Sequence, residues 1–104
     1  MIRSRVVTLD TSGTAADGSV AVPPSRYSGM YYQFDDSTQR ATITIRNLGR
    51  VVQSVVDADN DDGAQDVALT SQELVSGQVV VNATQITNGT AGDELTVNLY
   101  FDFG

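Results

Sequence analysis

The sequence has no cysteine, histidine, tryptophan or lysine, and only two prolines in 104 residues. Each absence closes off a class of chemistry. Without cysteine there is no disulfide framework, and the redox compartment leaves no mark on the chain. Without histidine or cysteine, the usual zinc ligands, the commonest general base and the thiol nucleophile are all missing. Paired carboxylates of the glycosidase kind would need a cleft that so small a domain rarely builds. The expectation is a protein that is not an enzyme and holds no cofactor. No apolar run approaches the roughly 20 residues of a membrane helix, and the first residues lack the basic-then-apolar layout of a secretion signal, so no membrane partner and no export by that route are expected. Positive charge is scarce as well. Six arginines stand against 13 acidic residues, for a net charge of −7. That disfavours nucleic acid, whose binding draws its affinity from neutralised phosphates.

What is present is alternation. From Glu94 to Gly104, Leu95, Val97, Leu99, Phe101 and Phe103 alternate with Glu94, Thr96, Asn98, Tyr100 and Asp102, the period-two pattern of a strand with one buried face. Burying five large side chains contributes roughly 8–15 kcal/mol before entropy is subtracted, comparable to the net stability of a whole domain. Removing this stretch should therefore unfold the protein.

The same grammar runs through the rest of the chain. Ile2 to Leu9 reads as a first strand, with Arg3 and Arg5 marking an edge or a flexible arm over residues 1–5. Ser19 to Val22 reads as a short strand closed by Pro23-Pro24, which cannot donate to a central ladder. Ser28 to Asp35 places Met30, Tyr32 and Phe34 on one face, with Tyr31 on the other. Across a polar Asp36-to-Gln39 connection of hairpin length, Arg40 to Arg46 alternates with Ala41, Ile43 and Ile45 inward, and these two strands are expected to pair. Asn47-Leu48-Gly49 turns the chain into Arg50 to Val56. Val67 to Leu69 is a candidate short strand. Thr70 and Glu73 have capping-box spacing with Gly77 as a stop, which predicts a helical turn over Ser71 to Val75. Gln78 to Ala83 is a further strand. The sum is one all-β domain over residues 1–104, an antiparallel β-sandwich of seven to eight short strands with jelly-roll or immunoglobulin-like topology. Its core should join Leu95, Val97, Leu99, Phe101 and Phe103 to Met30, Tyr32, Phe34, Ile43 and Ile45.

Asp57, Asp59 and Asp61, in the run DADNDDG, are the candidate metal ligands. An EF-hand loop starting at Asp57 would need Gly at its sixth position and Glu at its twelfth, where Asp62 and Ala68 stand. A solvated acidic turn is the expectation there, with a looser calcium site as its rival. Val51, Val55 and Val80 lie in segments apolar on both faces, which a sandwich strand does not require. They are therefore interface candidates, as is outward-facing Tyr100.

Three blocks, SGMYYQFDDSTQRATITI (Ser28 to Ile45), ELVSGQVVVN (Glu73 to Asn82) and ELTVNLYFDFG (Glu94 to Gly104), together resemble small all-β structural proteins of tailed-bacteriophage virions. The resemblance covers about the C-terminal three quarters of the chain. It implies a capsid decoration or cement subunit, made in the host cytoplasm and carried on the capsid exterior. Its partners would be the major capsid protein or other virion subunits, and it would form a homo-oligomer, a trimer by analogy. Arg3, Arg5 and Tyr31 join the candidate contacts. A tail or neck structural protein is the near alternative. A carbohydrate-binding or adhesin-type module is the distant one, and it is disfavoured because Tyr31 and Tyr32 point to opposite faces.

Overall fold

The computed structural model describes residues 1–61 and 65–103. It is all-β, with six strands in chain order: β1 (Ile2–Asp10), β2 (Ala16–Phe34), β3 (Ala41–Asn47), β4 (Arg50–Ala58), β5 (Asp66–Thr84) and β6 (Glu94–Asp102). They form one antiparallel sheet in the order β1-β6-β2-β5-β3-β4. β2 and β5 have 19 residues each, and they are the reason a single sheet closes over its own core.

β2 bends at Pro23-Pro24. The β2–β5 register is broken between Val22 and Ser25, and Gly77, opposite Val22, has φ of +73°. The prolines lack N–H groups, so they sit in the unpaired part of a bulge, and the strand turns a corner instead of ending. Beyond it, the C-terminal half of β2 pairs with β6 on one side and β5 on the other. One layer is thus β1, β6 and the halves of β2 and β5 next to them; the other is the N-terminal half of β2, the C-terminal half of β5, β3 and β4. Contacts between strands that are not sheet neighbours show the two layers facing each other. A Cβ on Gly18 of β2 would lie 2.7 Å from a Val7 methyl of β1 and 3.0 Å from a Leu9 methyl. The Tyr27 hydroxyl of β2 donates to Gln53 Oε1 of β4.

The all-β antiparallel, sandwich-like expectation holds. Counted by straight segment there are eight runs; counted by continuity there are six strands. The expected core is present, with Leu95, Val97, Leu99, Phe101, Met30, Tyr32, Phe34, Ile43 and Ile45 all buried and Phe103 packed half-buried against them. Leu48 and Gly49 both have positive φ between the paired Asn47 and Arg50, a tight two-residue hairpin of the kind that matches strand twist.

Three expectations are corrected. Strand 28–35 does not pair with strand 40–46: the first lies between β5 and β6, the second between β4 and β5. The connection between them crosses from one layer to the other, held by Gln39, which is fully buried and donates from Nε2 to Thr11 O at 2.9 Å and to Thr87 O at 3.1 Å. Ser71 to Val75 is strand and not helix. Glu73 pairs in register with Tyr27 and binds Arg50 across to β4 at 2.8 Å, so its carboxylate caps nothing. Residues 2–5 are not a free arm, because Ile2 to Arg5 pair with Asp102 to Leu99.

Candidate interaction surfaces

The outward residues of β1, β6 and the second half of β2 form rungs across one broad face. Val6, Asn98 and Tyr31 share one rung, and Ser4, Tyr100 and Gly29 the next. Tyr31 and Tyr100 are therefore diagonal neighbours, both half-buried, with Val6 and Ile2 exposed beside them. The floor is Gly29, whose φ is +140° and whose added Cβ would sit 2.5 Å from Val67 O and 2.8 Å from Ala68 Cα of β5. That close approach leaves a shallow apolar groove of about 500 Å³ between Ile2, Tyr100, Val67 and Leu69.

The other candidate contacts scatter. Arg3 is exposed on β1. Arg5 donates to Ser4 O at 3.1 Å and stands over the Phe103 ring, 5.1 Å from its centroid. Val51 is half exposed on the edge strand β4, with Val55 half-buried there. Val80 is half-buried on the outer side of β5, in register with Arg46. The structure does not bring these residues into one patch with Tyr31 and Tyr100.

The acidic run is answered from within the chain. Arg40 Nη1 lies 2.5 Å from Asp59 Oδ2 and 4.0 Å from Asp57 Oδ2, and Nη2 lies 3.3 Å from Asp61 Oδ2. A guanidinium thus occupies the centre that a calcium ion would need, and among the described residues no group of three or more acidic side chains is placed to hold a metal. Asp62 and Gly63 of the same run lie outside the described residues.

The register also sorts charge. Asp10 pairs with Glu94, Asp35 N–H donates to Glu94 O at 3.0 Å and Thr11 N–H to Asp93 O at 3.0 Å. Asp36 lies next in the chain, and the Arg40 cluster is anchored nearby through the Arg40 N–H, which donates to Thr87 Oγ1 at 3.0 Å. Hydrogen bonds from the side chain and backbone of Ser12 hold the Asp10 carboxyl below its ordinary range, and those from Thr38 do the same for Asp36. These carboxylates are charged, and Arg40 is the one arginine at this end.

The opposite end carries the other five arginines. Arg26 pairs with Asp102 and with Leu74; Arg3 pairs with Phe101; Arg46 and Arg50 flank the β3–β4 hairpin. Only Glu73 and Asp102 oppose them among the described residues. Here two grooves of about 410 and 250 Å³ adjoin along a shared wall of Pro24, Ser25 and Leu74. Leu48 and Arg50 flank one; Arg26, Asp102 and Phe103 line the other. Arg50 is held in place by Glu73 and by Leu74 O at 2.9 Å, and Leu74 and Leu48 are 65% and 81% exposed, unusual for leucines in a chain with so complete a core.

No family model, curated protein or solved structure matches the chain. Sequence reasoning does not single out Arg26, Arg50, Leu74 and Leu48: Leu48 falls in the expected turn, Leu74 in the expected helical turn, Arg50 at the start of an expected strand and Arg26 between expected elements. The signal that finds the two arginines is the order of charge along the connections.

Proposed function

We propose that the chain is a virion structural subunit that binds the shell of a tailed phage as a decoration or cement protein, working through surfaces and not through catalysis. The observation that carries the surface half of this proposal is the outward face of β1, β6 and β2, where Ile2, Val6, Tyr31 and Tyr100 lie together beside an apolar groove. Aromatic side chains of this kind, large and with few rotamers to freeze, are enriched where proteins bind proteins. The virion half rests on the resemblance of the three sequence blocks. Tyr100→Arg places a charge at the centre of the face while leaving the buried side of β6 untouched. It should abolish co-sedimentation of the purified protein with shells lacking it, while the melting temperature stays near that of the parent. Undiminished binding by this variant would remove the face from consideration.

The diagonal pair Tyr31 and Tyr100 with Asn98 beside them also favours a second reading, a carbohydrate platform, which the opposed Tyr31 and Tyr32 did not offer. Binding of the isolated domain on a glycan array, lost in the same variant, would support that reading over the first.

A further inference from the structure

We propose that copies of this protein associate head to tail, the arginine-bearing apolar grooves of one copy receiving the acidic end of the next. The proposal stands on the charge sorting and is independent of the virion reading.

The ends are far enough apart to act separately. β6 runs from Glu94 at one end to Asp102 at the other, roughly 26 Å at the usual rise per residue. The Debye length at physiological salt is about 8 Å. A molecule meeting the Arg26 end therefore senses the local excess of positive charge there and not the net charge of −7. Parallel side-by-side packing of two copies would set like ends together; head-to-tail packing sets unlike ends together and alone brings the acidic end of one copy onto the grooves that open at the basic end of the next.

The two ends also differ in form. At the basic end, exposed Leu48 and Leu74 stand beside grooves. At the acidic end, Asp35, Glu94 and the turn before Asp93 are exposed, and the large apolar side chains nearest them, Leu9, Phe34, Ile86 and Leu95, are buried. The occupant that matches grooves bearing Arg26 and Arg50 is an exposed acidic surface, and this chain carries one on its own far end. Because the two surfaces are different, each contact leaves one of each kind free. Copies add until a ring closes or a filament continues, and a closed trimer is one such ring.

Two variants separate the ends. Arg26→Ser with Arg50→Ser disables the basic end; Asp35→Lys with Glu94→Lys disables the acidic end. None of the four side chains is buried, and circular dichroism melts confirm that both variants fold. In sedimentation velocity at low salt, the parent protein should form species larger than monomer that grow with concentration and dissociate in molar salt. Each variant alone should associate roughly tenfold or more weakly. An equimolar mixture should yield a one-to-one heterodimer that grows no further, since one intact basic end meets one intact acidic end. A parent that is monomeric at all concentrations in low salt would overturn the proposal. So would association unchanged in either variant, or a mixture that forms no heterodimer.

Discussion

Tyr27 and Gln53 join the two layers through the core, and removing either should reveal how much that link contributes. Tyr27 is fully buried and Gln53 is 8% exposed; the hydroxyl donates to Gln53 Oε1, and Gln53 Nε2 donates to Val67 O at 2.9 Å. Tyr27→Phe keeps the ring and its contact with Phe101, 5.6 Å between centroids, but strands a buried amide oxygen. An unsatisfied buried polar atom costs about 1–3 kcal/mol. Gln53→Leu strands both the Tyr27 hydroxyl and one bond to Val67 O, for about 2–4 kcal/mol on the same basis. The double variant leaves only Val67 O short of that partner and strands neither the Gln53 oxygen nor the Tyr27 hydroxyl, so it should cost less than the sum of the singles by about 2 kcal/mol or more. Urea unfolding at constant m-value measures all three. For a domain of this size the single losses amount to roughly 4–8 °C in melting temperature per kcal/mol. Strict additivity, or a Tyr27→Phe loss indistinguishable from zero, would show that the bond carries no net stability.

Alkaline pH tests the same group. Burial pushes the Tyr27 pKa up from its ordinary value near 10, so the folded state favours the neutral phenol. The linked stability is fully present below about pH 10, where unfolded tyrosine ionises, and declines as pH rises beyond it. Tyr27→Phe should flatten this alkaline decline relative to the parent.

Three other outcomes follow from the packing. Leu99→Ala, at a site with no exposure between β1 and β2, should cost about 2–5 kcal/mol by urea unfolding. Gly29→Ala drives a methyl into the β5 backbone and should cost roughly 3 kcal/mol or more; Gly49→Ala, with positive φ but open space, should cost only about 1–2 kcal/mol. Millimolar calcium should leave the parent's melting temperature unchanged, because Arg40 already fills the acidic cluster, and a rise would show that calcium displaces the guanidinium.

Strand identity was legible where one face is buried and the other wet. β1, β3, β4 and β6 begin within about a residue of where alternation places them, in keeping with the usual uncertainty of element ends, and the inward parity of β3 and β6 holds throughout. Partner choice was not legible. The 28–35 and 40–46 segments look like a hairpin because a short polar link separates them, but the buried side chain of Gln39 binds the backbone at Thr11 and Thr87 and carries the chain to the other layer. Nothing local to Asp36 to Gln39 records those distant acceptors. The helical turn failed for a related reason. Thr70, Glu73 and Gly77 fit a cap and a stop, but Arg50 is equally a partner for Glu73, and only the sheet decides between them.

The sorting of charge was in the sequence all along, once the strands are taken as eight straight segments running up and down in turn. Strict alternation puts the first, third, fifth and seventh connections at one end of the molecule, and the corners and turns between them at the other. The first set spans Asp10 to Asp17, Asp35 to Arg40, Asp57 to Asp66 and Asn88 to Glu94, and within it only Arg40 is basic. The second set is Pro23 to Arg26, Arg46 to Arg50 and Thr70 to Gly77, with three arginines against Glu73 alone. β2 and β5 preserve this alternation even though each is a single strand, because Pro23-Pro24 and Gly77 reverse their course at the same corner. Had either strand run straight, its ends would fall at opposite ends of the molecule and the acidic connections would divide between them. The corner that folds the sheet over its core is thus also what gathers the carboxylates at one end and leaves the grooves beside Arg26 and Arg50 at the other.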